Sequence, residues 1–213
     1  MSKQNVSFRV VSVPRPTTRP NVDRRRDSSR RATLSAVLDL CVERGYAAVT
    51  VDAIAARAGV SKATIYRWWP SKGAIVLEAI DDAAPIPQTF PHTDDLAADL
   101  HAWLTGILDV FRDPYLGPAF TGALAESQLD ADLARQLRER LIDHRVSQFN
   151  ERMTAARENG QLDSDADLEV ALDVLLSPVY RRHVLHYPLP DHAYLDRLIK
   201  HALRALGGTG DSA

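Results

Sequence analysis

Between positions 50 and 72 the chain reads TVDAIAARAGVSKATIYRWWPSK, and it gathers there the side chains that recognise phosphates and base edges. Lys62, Arg67 and Lys72 are cations, Tyr66 and Trp68 pair a polar tip with a flat face, Thr50 and Thr64 carry hydroxyls, and Ala63 is short. Cations and hydroxyls suit phosphate oxygens. Lys and Arg also read base edges in a groove, and a short residue lets a backbone approach. Lys62, Ala63, Thr64 and Arg67 are therefore candidates for base-edge contacts, and Thr50, Tyr66, Trp68 and Lys72 for phosphate contacts. The simpler reading is a helical corner whose aromatics are core. The density of charge and aromatic residues in so short a stretch favours a nucleic-acid surface.

Such residues work only if two short helices hold them. Thr50 is a natural N-cap, and Asp52 places a negative charge in the first turn of the helix that follows. Val51, Ile54, Ala55 and Ala58 fall on one buried face. Gly59 ends the helix because glycine enters the left-handed conformation without a Cβ penalty. Ser61 caps a second helix over residues 62–69, which Pro70 stops while pushing Trp69 out of the α region. Ser71 caps a third helix, with Lys72 at its N-terminus, where an anion is favoured. Helix, short glycine turn and second helix make a helix-turn-helix, whose second helix fits the major groove.

Residues 24–80 resemble the DNA-binding domain of a TetR-family transcriptional regulator. The resemblance is carried by residues 36–41, Arg44-Gly45-Tyr46, Thr50-Val51-Asp52 with Ile54-Ala55, Ala58-Gly59-Val60-Ser61, Thr64-Ile65-Tyr66 and Pro70-Ser71-Lys72. Trp68-Trp69 departs from it, since the family more often has other aromatics there. The resemblance implies an all-α fold, with an N-terminal three-helix DNA-binding domain and a C-terminal helical domain that binds a small effector and dimerises. It also implies a homodimer that pairs the last two helices of each copy and binds a pseudo-palindromic double-stranded operator.

The 213 residues leave room for one large or two small domains. Net charge is −2, which alone argues against a nucleic-acid partner, yet the average hides a split. Residues 1–80 carry 14 Lys and Arg against 6 Asp and Glu; the remainder carries 12 against 22. A basic domain joined to an acidic one fits that asymmetry. Cys41 is the only cysteine, so no internal disulfide is possible, and its spacing with Leu34, Val37 and Leu38 makes it a small buried hydrophobe. With no apolar run of spanning or signal-peptide length, a cytoplasmic protein is expected.

Residues 1–22, rich in proline and arginine, read as a disordered basic arm, which either neutralises phosphates or is a solvated tail. The first helix is expected over residues 27–44. Residues 23–82 form the DNA-binding domain, prolines 85, 87 and 91 mark a linker, residues 83–208 form the second domain, and residues 209–213 a flexible tail. The second domain reads as helices over about 93–113, 115–126, 130–158, 165–186 and 191–206. The last two carry broad apolar arcs, including Leu198 and Leu203, that need cover on more than one side.

Trp103, Ile107, Phe111, Phe120, Phe149, Met153 and Tyr180 are the candidates to line an effector site, although ordinary core is the simpler reading of each. Arg145 with His144, or Arg181 with His183, could add polar contacts or form surface salt bridges. His183 and His186 are three apart but lack a third ligand at a metal-binding spacing. No nucleophile motif or calcium-loop pattern is present, so no catalytic residue, metal or cofactor is expected. An architectural DNA-binding dimer without an effector is the alternative. A ligand-induced shift in DNA affinity separates the two.

Overall fold

The computed structural model describes residues 20–83 and 90–207 of the chain. Every regular element among them is helical, so the fold is all-α. The helices are α1 Pro20–Arg44, α2 Val51–Ala58, α3 Lys62–Tyr66, α4 Lys72–Ala83, α5 Leu96–Arg112, α6 Leu116–Ser127, α7 Ala131–Leu137, α8 Asp143–Glu158, α9 Leu168–Val184 and α10 His192–Ala205. A single 3₁₀ turn, Tyr46–Ala48, joins α1 to α2, and a π-helical stretch, Arg138–Ile142, joins α7 to α8.

Capping chemistry sets most of these boundaries. Asp95, Asp130, Asp167 and Asp191 each accept backbone N–H bonds from the first turn of the helix they precede. Asp167 is the cap of α9, which therefore starts at Leu168, later than the 165 expected from the acidic run. In the other direction, α1 starts at Pro20 and not at 27. Proline suits a first helical turn because its missing N–H would be unpaired there, and the arginines that follow are good helix formers. Residues 20–22 of the expected arm thus belong to α1, and residues 1–19 lie outside the described residues. The expected 130–158 helix is present but passes through the π turn, where the hydrogen-bond ladder shifts by one residue.

One core supports the end of the molecule that carries α2 and α3. Val37, Leu40 and Cys41 of α1 pack with Ile54, Ile65, Trp69 and Ile75, all buried. Burial pushes the Cys41 thiol up to about 11, with nearby Lys72 acting the other way, so it stays an unreactive packed group at neutral pH. The bridge to the second domain is α4, which packs on α1 behind and on α6, α7 and the π stretch in front. α6 comes very close: a Cβ on Gly122 would collide with the Tyr46 ring. Only a residue without a side chain allows that approach.

The second domain is pinned by a buried charge cluster. Arg152 of α8 is 2% exposed, and Asp99 of α5 is 1% exposed. Arg152 Nε donates to Asp99 Oδ2 at 2.8 Å, and its terminal nitrogens donate to Gln161 Oε1 at 3.2 Å and the Thr93 carbonyl at 3.1 Å. Asp99 also accepts from the Thr93 N–H at 3.0 Å and from its hydroxyl at 2.8 Å. Each charge is thus both paired and hydrogen-bonded, which is what makes its burial tolerable.

Candidate nucleic-acid interface and effector core

The two caps at the reading end have the expected geometry. Thr50 Oγ1 accepts from Ala53 N–H at 3.2 Å, and Ser61 Oγ accepts from Thr64 N–H at 3.1 Å. Between them Gly59 sits at φ 67°, ψ 32°, the left-handed conformation that turns α2 into α3. α3 is shorter than expected and ends at Tyr66. Arg67, Trp68 and Trp69 continue it as a tightening turn, with the N–H groups of both Trp68 and Trp69 on the Ile65 carbonyl at 2.9 Å.

The two tryptophans then divide. Trp69 is buried, and its indole N–H donates to Glu78 Oε2 of α4 at 2.8 Å, while Arg30 Nε of α1 holds Glu78 Oε1 at 2.6 Å. Trp68 stacks on it with ring centroids 5.9 Å apart and stays 40% exposed. Tyr66 is 56% exposed. Thr50, Lys62, Ala63 and Arg67 are exposed as well, and Thr64 is partly so. Large aromatics standing free beside cations on a short, well-anchored helix are an unusual use of surface, and they fit a face meant to be covered. Lys62 pairs with Asp52 of α2. That ion pair is exposed on both sides and so is weak enough to be exchanged for another anion.

Lys72 departs from expectation. Its ammonium donates to the Tyr46 carbonyl at 3.3 Å, pairs with Glu126 Oε2 of α6 at 3.2 Å, and lies 4.0 Å from the centre of the Tyr46 ring. The free cation expected at the α4 N-terminus is therefore spent on the contact between the domains, because α6 brings a carboxylate to it. Burial, and then Glu126, push the Tyr46 hydroxyl well above its usual range, so it remains a neutral phenol.

The seven residues expected around an effector divide into two groups. The rings of Trp103 and Phe149 lie tilted with centroids 5.1 Å apart, Phe90 packs against both, and Met153 is fully buried in the same core. Phe111, Phe120 and Tyr180 form the second group, joined by His183, whose ring lies 4.0 Å from that of Phe111 at an interplanar angle of 13°. Ile107 is buried on α5, the helix that carries both Trp103 and Phe111. His183 Nε2 meets Thr121 Oγ1 of α6 at 2.8 Å, and its pKa is lowered by burial and by His186. Phe90 and Thr121 were not legible as partners, being single residues whose neighbours come from distant helices. Among the described residues no group of three or more His, Cys, Asp and Glu could hold a metal ion, and no helix is long and apolar enough to cross a membrane.

The chain matches the description "Bacterial regulatory proteins, tetR family" over residues 34–79 and "Tetracyclin repressor-like, C-terminal domain" over residues 90–202. The two matches together span both the reading helices and the second domain. The chain belongs to the TetR family. It is 32% identical over 192 residues to the HTH-type transcriptional regulator YdeS of Bacillus subtilis, covering 87% of this chain and 93% of that one. A DNA-binding transcriptional repressor TetR of Mycobacteroides abscessus is 30% identical over 184 residues, covering 85% and 95%. The crystal structure of the TetR family transcription regulator SCO0332 superposes with a TM-score of 0.66 at 36% identity, covering 83% of this chain and 97% of that one. This TetR-family protein is a DNA-binding transcriptional regulator.

Proposed function

We propose that this regulator is a homodimeric repressor that reads a pseudo-palindromic operator with α3 and is released by a small-molecule effector. The observation that carries the reading is the outer face of α3 and its following turn, where Tyr66 and Trp68 stand exposed beside Lys62 and Arg67 on a helix fixed by Ser61 and Trp69. Lys62, Ala63, Thr64 and Arg67 contact base edges; Thr50, Tyr66 and Trp68 contact phosphates. Lys72 acts instead as a tie between α4 and α6. The repressor sense is supported by the Mycobacteroides abscessus repressor.

Dimerisation is assigned mainly to α9. Val170 and Val174 are 53% and 43% exposed, and they lie on one stripe that Ser177, Arg181 and Val184 continue. The apolar residues of α10 are used differently from expectation. Leu195, Ile199, Ala202 and Leu203 are buried within the chain, where α10 packs chiefly on α5, and its outer face is Asp196, Arg197, Lys200, His201 and Arg204. Effector binding among α5, α6, α8 and α9 then selects one separation of the two reading helices. DNA is released when that separation no longer matches successive major grooves, about 34 Å apart.

The test is a set of salt titrations on one operator. Arg67→Ala should relax base preference at a single operator position, worth roughly ten-fold or more between the right and wrong base. Tyr66→Phe should weaken all sequences alike. Lys72→Ala should leave the slope of log affinity against log salt unchanged while lowering thermal stability, because its ammonium is held inside. A slope flattened by about one unit in Lys72→Ala would return that residue to the phosphates.

A further inference from the structure

Among the described residues, the Lys and Arg side chains that have no hydrogen bond, ion pair or ring contact are all exposed except Arg145 of α8, which is partly buried. Burial depresses its pKa, and only Tyr180 of α9 and Asp81 at the end of α4 act electrostatically in its favour. The Tyr180 hydroxyl has no hydrogen-bond partner among the described residues either, and burial raises its pKa, with Arg145 acting against the rise. Two donors thus lie within electrostatic reach of each other on α8 and α9, neither of them bonded to another described residue. The Tyr180 ring is at the same time an edge of the second aromatic group, 5.3 Å from Phe111 and 6.2 Å from Phe120.

A desolvated guanidinium without a counterion is costly, and proteins keep one where an anion arrives. A carboxylate fits best: the guanidinium fork matches its two oxygens, and a phenol O–H adds a third, charge-assisted bond. The flat rings of Phe111, Phe120 and His183 next to it suit an apolar or aromatic body. We infer that Arg145 and Tyr180 form the anion-binding end of the effector site, and that the effector is an amphipathic monocarboxylate whose apolar part lies against Phe111, Phe120 and His183. The inference deepens the effector reading above and rests on it. Its position next to Asp81, at the end of the helix that bridges the two domains, gives the bound anion a direct electrostatic route to α4.

The experiment uses the full chain, with binding read by calorimetry and DNA release read on one operator. The probes are benzoate and octanoate, each beside its uncharged amide, benzamide and octanamide. The carboxylates are expected to bind saturably and to weaken operator binding, with affinities about ten-fold or more above those of the amides, as lost charge-assisted bonds dictate. Arg145→Met should remove that preference without changing the amides, Tyr180→Phe should reduce it several-fold, and Arg145→Lys should keep only part of it. Operator affinity without ligand is measured for each variant, and the ligand effect is read as a ratio to it. If amides bind and release DNA as well as carboxylates do, or if Arg145→Met keeps the preference, the anion site is wrong while an effector site stands. If no probe of either charge binds the wild type, the inference falls. If in addition a wider panel of small molecules never shifts operator affinity, the effector reading falls with it.

Discussion

Asp99→Ala is expected to destabilise this protein more than any other single change considered, by about 3–5 kcal/mol, because it leaves the Arg152 guanidinium buried with no counter-charge. The two groups meet at 2.8 Å, and both are essentially inaccessible to water, so neither solvent nor salt can relieve the loss. For a domain of this size the corresponding drop in Tm is roughly 10 °C or more. The double variant Asp99→Leu with Arg152→Met should recover most of the loss, since it removes both charges and keeps apolar volume. Urea denaturation followed by far-UV circular dichroism measures all three. A loss of less than about 1 kcal/mol in Asp99→Ala would show that the pair is solvated and not the pin between α5 and α8.

Val174→Asp is the counterpart for function. Within one chain Val174 is 43% exposed, so a carboxylate there meets water and the protomer should fold as before. In a dimer built on the α9 stripe the same change buries two unpaired charges across the two-fold axis, at a cost of several kcal/mol. The variant should sediment as a monomer. Operator affinity should fall by about a hundred-fold or more, because the second half-site no longer binds as a linked event. Lys200→Asp on the polar outer face of α10 should change neither. A dimeric Val174→Asp variant with full operator affinity would move the interface away from α9.

What the sequence made legible follows the range of the interactions involved. Caps and turns are local: Thr50, Gly59, Ser61 and Ser71 act on backbone groups within four residues, and each is found in the role its type dictates. Periodic apolar residues likewise identified the helices of the second domain, with ends shifted by a few residues where one aspartate and not its neighbour became the cap. The destinations of charged side chains were not legible, because they depend on which distant helix arrives. Lys72 meets Glu126 only because Gly122 lets α6 settle against Tyr46, and Asp99 finds Arg152 only when α8 crosses α5. For Arg145 the sequence left both a pocket role and a surface salt bridge open, and it has no salt bridge among the described residues. The effector candidates read as one set because aromatics on several stripes look alike in sequence. The structure separates the Trp103 group from the Phe111 group along α5, on which the two residues stand about two turns apart.

The central claim is that α3 reads DNA as one half of a two-fold pair, and selection of bound duplexes from random DNA by the full chain tests it most directly. The expected result is an enriched inverted repeat with half-site centres one helical turn apart, or a multiple of it, and a changed preference at one position of each half when selection is repeated with Lys62→Ala. No enriched sequence, or an enriched sequence that stays the same after Lys62, Thr64 and Arg67 are all replaced by alanine, would contradict it.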